Sequence, residues 1–243
     1  MNYQKGTKVY EGKAKIIYAV EAHPELVWME FKDSLTAFNA LKKGSFENKG
    51  QINTKISQKI FEYLESNNVP THFVRRVNEH ELICRKVEII PLEVVVRNKV
   101  AGSLAKRFGL VEGKDLATSL VEFYLKDDAL GDPLITDDQA VVLGFIDSHQ
   151  TLQHLKHQTG KINVLLTKFF HKIDLELIDF KIEFGRDENG VIWLADEITP
   201  DSCRLWDLNS GEKMDKDRFR HDLGNVKESY VEVLNRINKN WGE

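Results

Sequence analysis

The sequence predicts an α+β fold that begins with antiparallel strands and continues into longer helices. Three patterns support this prediction. Apolar and polar residues alternate over 8–31, which is the pattern of half-buried strands. Apolar residues recur at helical spacing over 50–66 and again over 148–172. Strand-like runs at 71–77, 80–87 and 120–125 lie between the two helices.

The composition is that of a globular protein with a large core. The chain has 243 residues, of which 42% are hydrophobic, and this fits one large domain or two small ones. Its net charge is −4, so no overall positive field recruits nucleic acid. The chain has no hydrophobic signal core at its start and no apolar run of about 20 residues. We therefore expect a cytoplasmic protein without nucleic-acid or membrane partners, with reduced thiols at Cys84 and Cys203.

A glycine-containing turn connects the first two predicted strands, and it consists of Gly12, Lys13, Ala14 and Lys15. Small residues let backbone N–H groups approach a phosphate, and the two lysines add positive charge. This turn could therefore close over a triphosphate. An ordinary exposed basic hairpin is the alternative interpretation.

The chain is expected to cross from a first lobe to a second near residue 87. The apolar run Val87–Leu92, which Pro91 interrupts, has the composition of a crossover. This predicts an N-terminal lobe of residues 1–87 and a C-terminal lobe of residues 88–243. Before the crossover, residues 33–50 are polar and are expected to be mobile.

Basic residues surround a Gly-Ser turn after the predicted buried strand Val94–Val96. They are Arg97, Lys99, Lys106 and Arg107, and Ser103 belongs to the turn. A guanidinium binds phosphate through two hydrogen bonds and a serine hydroxyl donates another, so the segment is typical of a phosphate site. A solvated basic surface is the alternative.

The stretch 179–207 contains a predicted hairpin that is rich in charge. Its first strand alternates Asp179, Lys181 and Glu183 with Phe180, Ile182 and Phe184. Asn189-Gly190 favours a two-residue turn, which places Glu183 opposite Asp196. Opposed Cβ atoms lie roughly 4.5–5.5 Å apart, so these carboxylates repel each other unless a cation or a shared proton lies between them. The pair predicts a divalent-metal site, and a solvated acidic edge is the alternative.

Two further helices are predicted in the C-terminal half. Ser148 is the predicted N-cap of the helix over 148–172, and its histidines are expected at the surface. Asp215 or Asp217 is predicted to cap one final helix, with Phe219 and Leu223 in its buried stripe. The loops at 33–48 and 126–138 are candidates for closing over a ligand.

Six segments together resemble the SAICAR synthetase family, which consists of phosphoribosylaminoimidazole-succinocarboxamide synthases of purine biosynthesis. The segments are YEGKAKIIY (10–18), EVVVRNKVAGSLAKRFG (93–109), KDDALGDP (126–133), DFKIEFG (179–185), ADEITPDSCRLWD (195–207) and KMDKDRFR (213–220). They extend from near the first residue to the last predicted helix, so the resemblance covers essentially the whole chain. Cys203 is a departure, because the family more often has a smaller residue there.

The resemblance implies a two-lobed α+β protein related in architecture to protein kinases and ATP-grasp enzymes. It implies a ligase that joins the carboxylate of carboxyaminoimidazole ribonucleotide (CAIR) to the amine of L-aspartate and gives SAICAR. ATP is cleaved to ADP and phosphate in this reaction, and Mg²⁺ is the implied cofactor. The expected partners are CAIR, L-aspartate, ATP and a second copy of the chain in a homodimer.

The resemblance also implies roles for individual residues. Glu183 and Asp196 would hold Mg²⁺ on the ATP phosphates, which Gly12, Lys13, Ala14 and Lys15 would cover. Backbone groups around Arg85, Lys86 and Glu88 would contact adenine. Arg97, Ser103 and Arg204 would bind the phosphate of CAIR. Lys181 would attract the CAIR carboxylate, and Asp179 would contact the substrate ring or orient Lys181.

Two other functions fit parts of the sequence. A protein or small-molecule kinase is disfavoured, because the chain has no His-Arg-Asp catalytic loop and no Asp-Phe-Gly motif. A nucleotide-sensing module without catalysis is the other alternative. An assay of ADP release that requires both CAIR and aspartate would distinguish it from the ligase.

Overall fold

The computed structural model describes residues 3–37 and 41–242, and these residues form thirteen strands and six helices. The strands are β1 (Lys5–Glu11), β2 (Lys15–Val20), β3 (Leu26–Phe31), β4 (Ser34–Ala37), β5 (Lys42–Ser45), β6 (Phe73–Arg76), β7 (Glu81–Arg85), β8 (Glu88–Lys99), β9 (Asp115–Leu125), β10 (Leu134–Ile135), β11 (Leu175–Arg186), β12 (Ile192–Ala195) and β13 (Cys203–Asp207). The helices are α1 (Lys49–Ser66), α2 (Gly102–Phe108), α3 (Asp137–Val142), α4 (His149–His171), α5 (Asp217–Arg220) and α6 (Val226–Trp241). The α+β prediction is confirmed.

The first sheet has five antiparallel strands in the order β1-β2-β3-β7-β6. Helix α1 packs against β3 and β6 through a buried stripe of Ile52, Ile56, Ile60 and Leu64. The helical spacing of these residues predicted this stripe, and the prediction is confirmed.

The second sheet has the order β10-β9-β8-β11-β12, and β13 also pairs with β11. Helix α4 packs against β11 and β8, and Leu152, Leu155, Ile162, Leu166 and Phe169 are all fully buried. The Ser148 side chain accepts a hydrogen bond from the Thr151 N–H, as the predicted N-cap requires. Strand β11 is therefore central, with neighbours on both sides and a helix on one face.

The predicted crossover over Val87–Leu92 is wrong in its extent, because β8 begins at Glu88 and runs without interruption through Pro91. The pairs Glu183↔Glu93 and Gly185↔Ile89 have a register shift between them, so Pro91 lies in a bulge. A proline is tolerated at a bulge because its missing N–H is not needed for pairing there. Residues 86 and 87 alone connect the two sheets, and the lobe division at 87 and 88 stays a prediction.

Residues 33–50, expected to be a mobile polar segment, contain the β4–β5 hairpin. The Asp33 carboxylate accepts hydrogen bonds from the N–H groups of Asn48 and Gly50, which connects the start of the hairpin to the start of α1. Residues 38–40 of this segment lie outside the described residues. The mobility itself stays a prediction.

The single final helix predicted after Asp215 is wrong, because the chain forms two helices, α5 and α6, there. Asp222, Gly224 and Asn225 all have positive φ angles between the two helices, and this conformation ends a helix. Leu223 is consequently exposed rather than part of the core stripe. The predicted cap at Asp215 or Asp217 is also wrong, because the N-cap of α5 is Lys216 and that of α6 is Asn225. The Asp215 carboxylate instead accepts from the Asp217 N–H at 2.7 Å from the position before the N-cap.

Both cysteines are buried free thiols, which confirms the prediction for Cys84 and Cys203. Within the described part of the chain, none of the helices has the length and hydropathy that a membrane span requires.

Candidate active site

Two adjoining cavities lie beside strand β11. The inter-sheet cavity has a volume of about 600 Å³ and lies between the first sheet and the second. One of its walls is apolar and consists of Ile17, Val27, Met29, Val87 and Ile89. The arginine cavity has a volume of about 470 Å³, and its lining includes Arg97, Arg204 and Arg220. The two spaces meet at four side chains that line both cavities, namely Lys13, Glu93, Asp132 and Lys181.

The predicted glycine-lysine turn lies at the inter-sheet cavity, since Gly12, Lys13, Ala14 and Lys15 all line it. The Gly12 N–H donates to the Lys15 carbonyl at 2.8 Å, which keeps the turn tight. Lys13 reaches across to the loop of residues 126–138, named the acidic loop, and donates to Asp128 Oδ1 at 2.7 Å. The turn and the acidic loop are therefore in contact at the cavity.

Lys15 points into the inter-sheet cavity and pairs with two carboxylates. It donates to Asp196, and its Nζ lies 3.2 Å from Glu197 Oε1. Burial opposes the charge on Lys15, but the attraction of Asp196 and Glu197 outweighs burial and raises the pKa of Lys15. Burial also opposes the charge on Asp196, and the positive charges of Lys15 and Lys181 lower the pKa of Asp196 well below its usual range. Lys15 and Asp196 are therefore both ionised at neutral pH.

The predicted pairing of Glu183 with Asp196 is wrong, because Glu183 is opposite Ala195. The hairpin loop has three residues rather than two, since Asp187 N–H bonds to the Val191 carbonyl. The Asp187 carboxylate accepts from the N–H groups of Asn189 and Val191, and this stabilises the longer loop. Asp196 follows the end of β12 in a left-handed conformation with φ 63°. Both carboxylates nevertheless line the inter-sheet cavity.

Lys181 holds the carboxylates of Glu93 and Glu183 on one face of the second sheet. Glu183 and Glu93 are direct partners on β11 and β8. The Lys181 Nζ lies 2.7 Å from Glu93 Oε1, 2.9 Å from Glu183 Oε1 and 4.0 Å from Asp196 Oδ2. Lys126 from the acidic loop also donates to Glu183 Oε1, at 2.7 Å. Burial opposes the charge on Lys181, but the three carboxylates raise the pKa of Lys181 well above its usual value.

Asp179 joins two arginines in the arginine cavity. In the sheet, Asp179 is the direct partner of Arg97 on β8 and of Arg204 on β13. Its Oδ2 accepts from Arg97 Nη1 at 2.7 Å and from Arg204 Nη1 at 2.8 Å. Arg97 Nη2 also donates to the Ser103 hydroxyl at 2.8 Å. The predicted phosphate residues Arg97, Ser103 and Arg204 are thus brought together, with Asp179 holding the two guanidinium groups.

A glycine makes room for one of these arginines. Gly102 has φ 53°, and a Cβ atom there would lie 2.5 Å from the Arg204 guanidinium. Any other residue would therefore displace Arg204 as well as strain the backbone.

The predicted adenine segment lies between two cavities. Arg85 and Val87 line the inter-sheet cavity, and the Arg85 guanidinium lies 4.5 Å from the centre of the Trp193 ring. Lys86 and Glu88 line a neighbouring cavity instead, and the Lys86 N–H donates to the Glu25 carbonyl at 2.8 Å.

Sequence reasoning missed Glu93, Lys126, Lys216 and Arg220, all of which line one or both cavities. Lys126 belongs to the acidic loop KDDALGDP, and Lys216 and Arg220 belong to KMDKDRFR. Both segments contributed to the family resemblance, which indicated that they matter for function. The resemblance did not assign a role to any individual residue in them.

Glu183 and Asp196 are suited to a hard cation, because carboxylate oxygens are the ligands that Mg²⁺ prefers. Among residues 3–37 and 41–242, no group of three or more His, Cys, Asp or Glu side chains has the spacing of a metal site. Two carboxylates without a third are typical of Mg²⁺ that takes its other ligands from phosphates and water. The donor set therefore fits a metal that binds together with a nucleotide.

The fold and the cavities together define a class of protein. A cavity between two sheets with an apolar wall, lysines and acidic groups is typical of an enzyme that binds a nucleoside phosphate. The adjoining arginine cavity adds a site for a second anionic ligand.

The SAICAR synthetase family model matches residues 8–237. A phosphoribosylaminoimidazole-succinocarboxamide synthase of Wolinella succinogenes is 53% identical over 96% of this chain and 99% of the relative. The solved structure of the synthase from Ehrlichia chaffeensis has a TM-score of 0.92 and 41% identity, over 96% of this chain and 98% of that chain. A SAICAR synthetase solved in complex with ADP has a TM-score of 0.91 and 44% identity, over 95% of this chain and 97% of that chain. The chain belongs to the SAICAR synthetase family.

Proposed function

We propose that this protein is an ATP-dependent ligase that joins the carboxylate of CAIR to the amine of L-aspartate, giving SAICAR, ADP and phosphate. The observation that carries the proposal is the junction of the two cavities at Lys181 and Glu93. A nucleotide in one cavity and a phosphorylated substrate in the other would meet at this junction. The family assignment supports the same reaction.

The inter-sheet cavity is the proposed nucleotide site. The ADP complex of a relative supports nucleotide binding by this fold. Adenine would pack on the apolar wall that includes Ile17 and Val87, beside the backbone of the segment that contains Arg85, Lys86 and Glu88. The phosphates would extend towards Gly12, Lys13, Ala14 and Lys15.

Glu183 and Asp196 are the proposed ligands of Mg²⁺. When bound, the ion would neutralise the phosphate charge and thereby favour phosphoryl transfer. Both carboxylates are already ion-paired with lysines, and those lysines could pair with the ATP phosphates instead.

The arginine cavity is the proposed CAIR site. Arg97, Ser103 and Arg204 supply guanidinium and hydroxyl donors in a fixed arrangement, which suits the three oxygens of a phosphate monoester. Lys181 is two residues beyond Asp179 on the same face of β11, and it would attract the carboxylate of CAIR. Asp179, which was expected to contact the ring or orient Lys181, would act by holding the two arginines.

A carboxylate is a poor electrophile, so it must be activated before an amine can attack it. In the proposed reaction a carboxylate oxygen of CAIR attacks the γ-phosphorus of ATP, and the bond between that phosphorus and the β–γ bridging oxygen breaks. ADP leaves, and an acyl phosphate forms. The amine of aspartate then attacks the acyl carbon, phosphate leaves, and the nitrogen loses a proton. Lys181, between the two cavities, would stabilise the negative charge that develops at the transferring group.

The expected homodimer, the cytoplasmic location and the lobe boundary between residues 87 and 88 remain predictions. Sedimentation equilibrium of the purified chain would measure the oligomeric state directly.

The decisive experiment measures ADP release by the purified protein with each substrate omitted in turn. We expect release only when CAIR, L-aspartate, ATP and Mg²⁺ are all present, with SAICAR formed in equal amount. ADP release without aspartate would instead indicate a kinase, and nucleotide binding without release would indicate a sensing module.

A further inference from the structure

Lys216 is a cation of the arginine cavity without a partner in the described residues. It lies on the wall of that cavity just before α5. No carboxylate oxygen of residues 3–37 or 41–242 lies within 4.0 Å of its ammonium group. By contrast, Lys13, Arg97, Lys181 and Arg204 in the same cavity each pair with at least one carboxylate.

The surroundings of Lys216 make an anionic ligand favourable. Burial lowers the pKa of Lys216, and the positive charges of Arg220 and Lys49 lower it further against the attraction of Asp201. Asp201 is already occupied, because it accepts from Lys49 at 2.5 Å and from Tyr230 at 2.6 Å. A cation that is poorly solvated and lacks a partner gains stability when an anion binds beside it.

Arg220 is the second cation with unused donors in this part of the cavity. Its Nη1 donates to Asp217 Oδ1 at 2.6 Å, and this is its one hydrogen bond to a side chain in the described part of the chain. The other oxygen of Asp217 accepts from Arg204 Nε at 2.8 Å. Asp217 therefore fixes Arg220 next to Arg204, while the Nε and Nη2 groups of Arg220 have no protein partner among the described residues.

The proposed CAIR site does not require these two cations. Its phosphate would use Arg97, Ser103 and Arg204, and its carboxylate would use Lys181. Lys216 and Arg220 come from the α5 segment, and the same cavity is also lined by Thr36 of β4. The cavity that holds the proposed CAIR site thus has two further cations and a hydroxyl group that the phosphate and carboxylate of CAIR do not use.

We propose that Lys216 and Arg220 bind the two carboxylates of the amino-acid substrate and so select a dicarboxylic amino acid. This inference rests on the proposed function, because it assumes that CAIR occupies the arginines and Lys181. One cation for each carboxylate leaves the amine free to attack the activated carboxyl group at the cavity junction. A monocarboxylic or amidated amino acid would leave one cation unpaired, so it would bind more weakly.

The test measures steady-state kinetics for each substrate in Lys216→Met and Lys216→Arg variants. Loss of a hydrogen bond to a charged group is expected to raise the KM for L-aspartate about 10- to 100-fold in Lys216→Met. The KM values for CAIR and ATP stay within about twofold, and Lys216→Arg recovers most of the loss because it keeps the charge. Lys168→Met is the matched control, since Lys168 is exposed on α4 and lines neither cavity.

A second readout uses succinate, which has both carboxylates but no amine and should therefore compete with aspartate. Its inhibition constant should rise in Lys216→Met by the same factor as the KM for aspartate. Calorimetry of CAIR binding to the variant should give an unchanged dissociation constant. A purely structural defect would affect CAIR and succinate together.

The outcomes separate this inference from the proposed function. If the wild-type protein does not release ADP in an aspartate-dependent way, the proposed function fails. If the wild type is active and Lys216→Met changes no KM, the inference alone is overturned. A raised KM for CAIR with an unchanged KM for aspartate would also overturn it, because Lys216 would then belong to the phosphate site. If Lys216→Met does not fold, Lys216→Gln is measured against the same criteria.

Discussion

The two cavities obtain their charged groups in different ways. The arginine cavity is built within one sheet, where Asp179 is the direct strand partner of both Arg97 and Arg204. The inter-sheet cavity instead joins residues from two sheets, such as Lys15 of the first and Asp196 beside the second. The first arrangement is fixed by strand register, whereas the second depends on how the two sheets pack. Substitutions in the two cavities should therefore affect different substrates and different properties.

The largest effect is expected from neutralising the proposed metal ligands. Asp196→Asn or Glu183→Gln should reduce kcat/KM by about 100-fold or more, because each removes a charge at the proposed phosphoryl-transfer site. The same variants should also lower the melting temperature of the ligand-free protein, since Lys15, or Lys126 and Lys181, lose a buried partner. Two carboxylates that faced each other would give the opposite result, because neutralising one would relieve repulsion.

Asp174→Asn is the matched control for this experiment. Asp174 has the same left-handed backbone as Asp196, with φ 57°, but it is exposed and lines neither cavity. Thermal melts and initial rates of the variants would be compared with this control. Normal turnover of both active-site variants at limiting Mg²⁺ would exclude Glu183 and Asp196 as metal ligands.

Arg204→Lys should weaken CAIR and leave ATP unaffected. A lysine lacks the planar guanidinium that donates through Nε to Asp217 and through Nη1 to Asp179, and it cannot offer a phosphate two parallel donors. We expect a loss of about 1–3 kcal/mol, seen mainly in the KM for CAIR. Arg236→Lys is the control, because Arg236 also bridges two carboxylates but lies outside both cavities. An unchanged KM for CAIR would argue against Arg204 as a phosphate ligand.

Asp215 should give the stability a pH dependence. Burial and the neighbouring Asp217 raise the pKa of Asp215 from 3.8 to about 7. The native state therefore holds this proton more tightly than the unfolded state. The resulting stabilisation is complete below about pH 4 and is lost as the pH rises towards 7, by up to about 1.4 kcal/mol per pH unit.

Urea unfolding of the wild type and of Asp215→Asn from pH 4 to pH 8 measures this contribution. As the pH rises, the free energy of unfolding of the wild type should fall relative to that of Asp215→Asn. A difference that does not change with pH would mean that Asp215 is ionised throughout this range.

Lys13→Ala should have the smallest effect, and Lys15→Ala a larger one. The Lys13 side chain is 41% exposed in its pair with Asp128, whereas that of Lys15 is 14% exposed. Exposed ion pairs contribute less than about 1 kcal/mol, so Lys13→Ala should raise the KM for ATP no more than about fivefold. Isothermal titration should show CAIR binding unchanged in Lys15→Ala, because Lys15 lines the inter-sheet cavity alone whereas Lys13 also lines the arginine cavity. Loss of CAIR affinity with normal ATP affinity would reverse the assignment of the two cavities.

Local sequence patterns predicted the elements whose residues are close in the chain. The stripe of α1, the Ser148 cap and the grouping of Arg97 with Ser103 all follow from short-range spacing. The hairpin register failed by one residue, because the Asp187 side chain stabilises a three-residue loop in competition with Asn189-Gly190. A single residue is enough to change which side chains are opposed.

Contacts between distant segments could not be read from one sequence. Glu93 and Glu183 are opposed because β8 and β11 are neighbours, and no local pattern specifies that pairing. Lys216 lines the arginine cavity from the N-cap of α5, and no local pattern indicates that this helix begins at the cavity. The sequence predicted one final helix that begins near Asp215. That prediction gave no sign that Lys216 lies at the start of a separate short helix.

In the proposed CAIR site, strand β11 also limits which lengths of substrate can bind. Residues two apart on a strand lie roughly 6.5–7 Å apart, so Asp179, Lys181 and Glu183 are evenly spaced along one face. The spacing of the Cα atoms between Asp179, which holds the paired arginines, and Lys181 is therefore set by the backbone. A compound whose phosphate and carboxylate are separated by a different distance could reach one of these groups but not both. The enzyme should thus reject analogues with a shortened or extended sugar even when both charged ends are intact.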